Sequence, residues 1–179
     1  MLVSPQFAGW IVSGKSPRRP QGPDDPRSEA ERFAEHEREV MDRTNGVHAA
    51  GGKLNVPWPH RFGTPPWGAE RELEAGAAQP GAAYRMRLVR LGSTAVLRDV
   101  HRDLVSLVHE GLPALLYIGN SRLPRHVTLV LPGEGDGELD VYDPATGSVT
   151  DLAPDRFASR TLGIAGWDVP WITVQPRKS

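Results

Sequence analysis

Two short runs, Arg125-His126-Val127-Thr128-Leu129-Val130-Leu131 and Val141-Tyr142-Asp143-Pro144, constrain this chain more than any other stretch. Both are rich in β-branched and apolar residues, and Pro132-Gly133-Glu134-Gly135-Asp136-Gly137 lies between them. Such runs around a Gly-rich turn predict a β-hairpin. His126 opens the first strand and Asp143 closes the second, so antiparallel pairing brings both to one end. A neutral imidazole beside a carboxylate is the base-and-orienter half of a nucleophile–His–Asp constellation, in which the acid fixes the ring tautomer. A cysteine cannot be the nucleophile, because the 179 residues include none.

That absence also excludes disulfides and thiolate metal sites. The length suits one domain with a real core. A formal charge of -1, from 21 basic and 22 acidic side chains, gives no overall footprint for nucleic acid or an anionic membrane. No apolar run approaches the length of a bilayer span, so no membrane insertion is expected. Met1–Val12 lacks a basic n-region, which argues against a cleaved signal peptide; a cytoplasmic address is expected, with signal-peptide-independent secretion as the other route. Seventeen Pro and 19 Gly argue for many turns and against a helical bundle.

In chain order, Gln6–Val12 is a candidate short strand or apolar arm, followed by a proline-rich linker to Arg27. Residues 1–27 therefore stand apart from a domain over 28–179. Ser28-Glu29-Ala30-Glu31 is a capping-box start for a helix to about Arg43. Ala30, Phe33, Ala34, Val40 and Met41 fall on one apolar face, and the charged face is expected in solvent. A long loop, 47–62, carries Asn55, Trp58 and Phe62. Thr64 then fits a helix N-cap, Pro65 the first helical position, and Gly76 the stop. Backbone N–H groups at such a start favour a developing negative charge. An alternating strand at Tyr84–Val89 precedes a third helix capped by Ser93 or Thr94 and ended by Gly111. Pro113–Ile118 reads as a buried central strand. After the hairpin come Ser148–Thr150, a helical turn from Pro154, and a last strand over Trp167–Val174. Pro170 marks that strand as an edge or a bulge. Helices first and an antiparallel sheet after them give an α+β class.

A helix start, then a His opening a strand, then Asp-Pro closing the next resembles the chain order of papain-like cysteine peptidases, most closely the bacteriocin-processing group. The resemblance spans roughly Trp58–Val174. It is carried by Gly111-Leu112-Pro113-Ala114-Leu115-Leu116, His126-Val127-Thr128-Leu129-Val130 and Val141-Tyr142-Asp143-Pro144-Ala145-Thr146-Gly147. It implies N-terminal helices packed on an antiparallel sheet, with His126 and Asp143 as base and orienter. The family's Cys-Gly at the helix start is replaced here by Phe62-Gly63, and no Gln precedes it; Asn55 is the candidate amide donor.

Three readings follow. The first is a non-catalytic relative that binds a peptide or protein in the former cleft, with Trp58, Phe62, Gly63, Trp67 and Trp167 along it. The second is a hydrolase or acyl-transfer enzyme using Thr64, His126 and Asp143, against which stands Thr64 as a plain helix cap. The third is a secreted effector or toxin-like domain with residues 1–27 as loading segment. His126 and Asp143 have bland alternatives as well, a carbonyl-bonded histidine and a turn aspartate. The tryptophans equally suit core packing. His48, His60, His101 and His109 form no cluster of ligand spacing, so no metal and no cofactor are expected.

Overall fold

Ser28 and Glu31 begin the first long helix as reciprocal caps: Ser28 Oγ accepts the Glu31 N–H, and the Glu31 carboxylate accepts the Ser28 N–H at 2.8 Å. The structure is a computed structural model that describes residues 5–15, 23–47, 54, 56–58, 63–77 and 82–177. The chain divides into two compact units, Met1–Pro80 and Gly81–Ser179. Among the described residues no helix is long and apolar enough to cross a membrane.

The first unit holds α1 (Pro5–Ser13), α2 (Glu29–Asn45) and α3 (Pro66–Glu72), the last running into a π-helical turn, Leu73–Ala77. Gln6–Val12 is therefore helical, not a strand. What holds it is Arg32, 94 % buried by its 6 % exposure. Its guanidinium donates to Ile11 O at 2.8 Å, Val12 O at 3.1 Å and Asp25 O at 3.3 Å, and to Arg27 O. A cation on the last carbonyls of a helix offsets their partial negative charge. The expected orientation of α2 is reversed at this point: Arg32, Thr44 and Asn45 are buried, while Phe33 is half exposed. A guanidinium with four carbonyl acceptors tolerates burial, and its long stem covers apolar surface. Arg32→Met keeps the stem and strands those carbonyls, at a cost of about 2 kcal/mol. Limited proteolysis between residues 13 and 28 should speed up in that variant.

Thr64 is not the cap of α3. Pro65 takes the cap position without a side-chain bond, at φ -69 and ψ 143, and Pro66 is the first helical residue. A proline disfavours the helical region for the residue before it, so Pro66 keeps Pro65 extended and moves the start past Thr64. Gly68 lies against the Thr44 backbone, where an added Cβ would meet Thr44 O at 2.3 Å. Arg43 and Glu72 clamp the same two helices through bonds of 2.5 and 3.2 Å.

The second unit is a six-stranded, wholly antiparallel sheet in the order β1-β6-β2-β3-β4-β5. Its strands are β1 (Tyr84–Leu88), β2 (Ala114–Gly119), β3 (Pro124–Pro132), β4 (Leu139–Asp143), β5 (Ser148–Asp151) and β6 (Val169–Pro176). With α4 (Thr94–His109) and α5 (Pro154–Ser159) this makes an α+β unit. Ser93 caps α4 by accepting the Val96 N–H. Leu97, Val100, Leu104 and Val108 of α4 share one core with Leu116, Ile118, Val130 and Val141 of the sheet. Strand β6 lies inside the sheet, not at an edge. Pairing with β1 covers only Ile172–Pro176, and the register against β2 shifts between Tyr117 and Ile118, so Pro170 is never asked for a ladder N–H.

Before β6, Ile164 and Trp167 exchange backbone bonds of 3.1 and 2.8 Å across Ala165 and Gly166, at φ 50 and 78. Two positive φ values make a type I′ turn, which asparagine and glycine favour and alanine does not. Ala165→Asn should stabilise the unit by about 1 kcal/mol, read as a higher urea midpoint at an unchanged slope.

Candidate functional site

The register of β3 decides what His126 meets. Leu129 pairs with Tyr142 and Val130 with Val141, while Ile118 of β2 pairs with His126. Because side chains alternate, His126, Thr128, Val130, Val141 and Asp143 share the face that carries the core. His126 and Asp143 are diagonal neighbours at the end of that face, and His126 Nε2 lies 2.6 Å from Asp143 Oδ1. The imidazole is one-fifth exposed and the carboxylate almost fully buried.

Asp143 accepts from three donors. Besides His126, the Ala145 N–H reaches Oδ1 at 2.9 Å and Thr146 Oγ1 reaches Oδ2 at 2.9 Å. Burial pushes the carboxyl up, but the Ala145 N–H, His126 and Thr146 together outweigh it and hold the group below the ordinary aspartate value of 3.8. The carboxylate is therefore ionised at neutral pH. An ionised carboxylate only accepts, so Nε2 carries the shared proton, and the tautomer this selects has its lone pair on Nδ1. No hydrogen bond joins Nδ1 to any described residue. The arrangement is a fixed, partly exposed hydrogen-bond acceptor and proton-accepting atom backed by a buried anion.

Asp143 both closes a turn and contacts His126. Its Oδ1 closes an Asx turn on Ala145 and also orients His126. Ala145 and Thr146 were not singled out from the sequence as site residues; a hydroxyl three residues beyond an Asp-Pro was the available signal. Thr146 is itself held by Ser148 Oγ at 2.8 Å.

The other candidates are placed as follows. Asn55 and Phe62 lie outside the described residues, as do His48 and His60. Gly63, Thr64, Trp58 and Trp67 belong to the first unit. Thr64 Oγ1 points to Met41 Sδ at 3.9 Å, and Gly63 O accepts from Asn45 Nδ2 at 2.7 Å. Trp58 and Trp67 pack edge to face with ring centres 5.2 Å apart. Trp167 packs against the core of the second unit. All three tryptophans make packing contacts, as half-buried aromatics commonly do.

His101 and His109, eight apart on α4, do not form a ligand pair. His101 is buried, with Nε2 2.7 Å from Leu152 O, and burial lowers its basicity. His109 Nε2 lies 2.9 Å from Glu138 O. Among the described residues no group of three or more His, Asp or Glu side chains is placed to hold a metal ion.

No family model matches the chain, and no curated protein or solved structure does either.

Proposed function

We propose that this chain is a papain-like domain that has lost its thiol and binds a peptide or protein in the former cleft, at the sheet end marked by His126. The observation that carries this reading is the 2.6 Å contact between His126 Nε2 and a buried Asp143 in a chain without cysteine. Desolvating a carboxylate is costly, and this one is compensated by three donors whose joint result is to fix one imidazole. With no thiol to deprotonate, Nδ1 of that ring serves as an acceptor for a peptide N–H or a side-chain hydroxyl.

The test is fluorescence anisotropy with a dye-labelled random decapeptide pool. Saturable binding by the wild type, at least about tenfold weaker in His126→Ala, with the peptides recovered uncleaved, is the expected result. Binding that ignores His126, or catalytic peptide cleavage, overturns it.

A further inference from the structure

The end of the sheet that carries His126 also gathers four arginines from three separate segments. Arg122 lies in the turn between β2 and β3, and Arg125 is the second residue of β3; both are exposed. Arg90, just after β1, donates to Ser121 O of the same turn at 3.1 Å and stacks over the Trp171 ring at 5.5 Å. Trp171 is in turn pinned to the turn by its Nε1–H, 2.8 Å from Asn120 O. Arg160, at the end of α5, donates to Arg90 O at 3.3 Å and to Gly92 O. None of the four forms an ion pair with a described residue. The Nε–H groups of Arg90 and Arg160 are buried and find no acceptor among the described residues. Asp168, in the loop after Arg160, already accepts the Gly163 N–H at 3.0 Å.

The opposite end of the same hairpin is acidic. Glu134, Asp136 and Glu138 fill the turn between β3 and β4, and Asp140 and Asp151 face each other across β4 and β5. The chain's near-zero net charge therefore hides a separation of sign along β3. A nine-residue strand is about 30 Å long, several times the Debye length of about 8 Å at physiological salt. A ligand at the His126 end feels the arginines and is screened from the acids.

We propose that the partner docked at the His126 end is a short peptide segment bearing Asp or Glu side chains, taken up by Arg90, Arg122, Arg125 and Arg160. This inference rests on the peptide-binding reading above and names the chemistry of the partner. Guanidinium forks match carboxylates in paired hydrogen bonds, and stacking on Trp171 holds one fork in place before binding. A long nucleic acid is disfavoured, because a polyanion following the sheet would run onto the acidic turn. The acidic segment pairs with arginines that make no ion pair with a described residue.

The test uses the full chain and three dye-labelled decapeptides of one length: one rich in Asp and Glu, its Asn/Gln counterpart, and its Lys counterpart. A ten-nucleotide single strand is added as a fourth probe. Arg122→Glu/Arg125→Glu is the variant, since both side chains are exposed and neither bonds the backbone of another element; an unchanged circular dichroism melt shows that it folds. The acidic peptide is expected to bind at least about tenfold tighter than the Asn/Gln peptide, to lose about tenfold in the variant, and to weaken steeply with salt. Equal binding of the acidic and neutral peptides, with His126→Ala still weakening both, overturns this inference and leaves the peptide-binding reading standing. No binding of any peptide removes both. Tighter binding of the oligonucleotide overturns the choice of partner. So does low-salt self-association abolished in the variant, which would place the acidic turn of a second copy on the arginines.

Discussion

Gly119→Ala is expected to destabilise the second unit by about 3 kcal/mol, the upper range for forcing extra volume into a packed site. An added Cβ would meet Leu123 O at 2.2 Å, Pro124 Cα at 2.8 Å and Arg125 N at 3.0 Å, all of them backbone atoms that cannot swing aside. Gly119 has no left-handed φ, so the cost is collision alone. Gly137→Ala is the informative contrast: its Cβ meets nothing within 4 Å, and only φ 90 opposes it, at about 1 kcal/mol. For a unit of this size about 3 kcal/mol lowers Tm by more than about 10 °C, and thermal unfolding followed by circular dichroism reads both variants. The collision also falls on the turn that sets Ile118 against His126. Gly119→Ala should therefore weaken peptide binding as well, whereas Gly137→Ala should not. Equal Tm shifts in the two variants would contradict the close approach.

Asp143→Ala should cost about 3 kcal/mol, because it strips a partner from His126, the Ala145 N–H and Thr146 Oγ1 at once. The pH dependence has a definite sign. The folded carboxyl is held below its ordinary 3.8, so its ionised form contributes stability above that value, and the contribution is lost as pH falls through the folded pKa. The stability gap between wild type and Asp143→Ala should narrow as pH falls below about 4. Urea midpoints measured from about pH 5 down to about pH 3 check this; a gap that does not narrow over that range would mean the carboxyl is not held ionised by its three donors. Nitrogen-15 shifts of the His126 ring give the matching structural readout. The Nε2–H tautomer dominates in the wild type and mixes with the other once the carboxylate is gone.

Much of the secondary structure was legible because its causes are local. The Ser28–Glu31 box, the Ser93 cap with its apolar spacing, and Gly111 at φ 81 each act within a few residues. The hairpin was legible for the same reason, and with it the approach of His126 to Asp143. What failed locally failed through neighbours: Pro66 displaced the helix start from Thr64, and α1 took an arginine of α2 as its terminal partner.

The sequence by itself determined the α+β character, the hairpin and the meeting of an imidazole with a carboxylate, since turn chemistry and side-chain alternation are set by adjacent residues. Only the tertiary structure decided that β6 slides between β1 and β2, that Arg32 lies buried, and that Asp143 is buried with three donors on it. It alone brought Arg90, Arg122, Arg125 and Arg160 to one end of the sheet. Strand order and the gathering of distant charges depend on contacts far apart along the chain, where no short-range spacing rule records which side chains will meet.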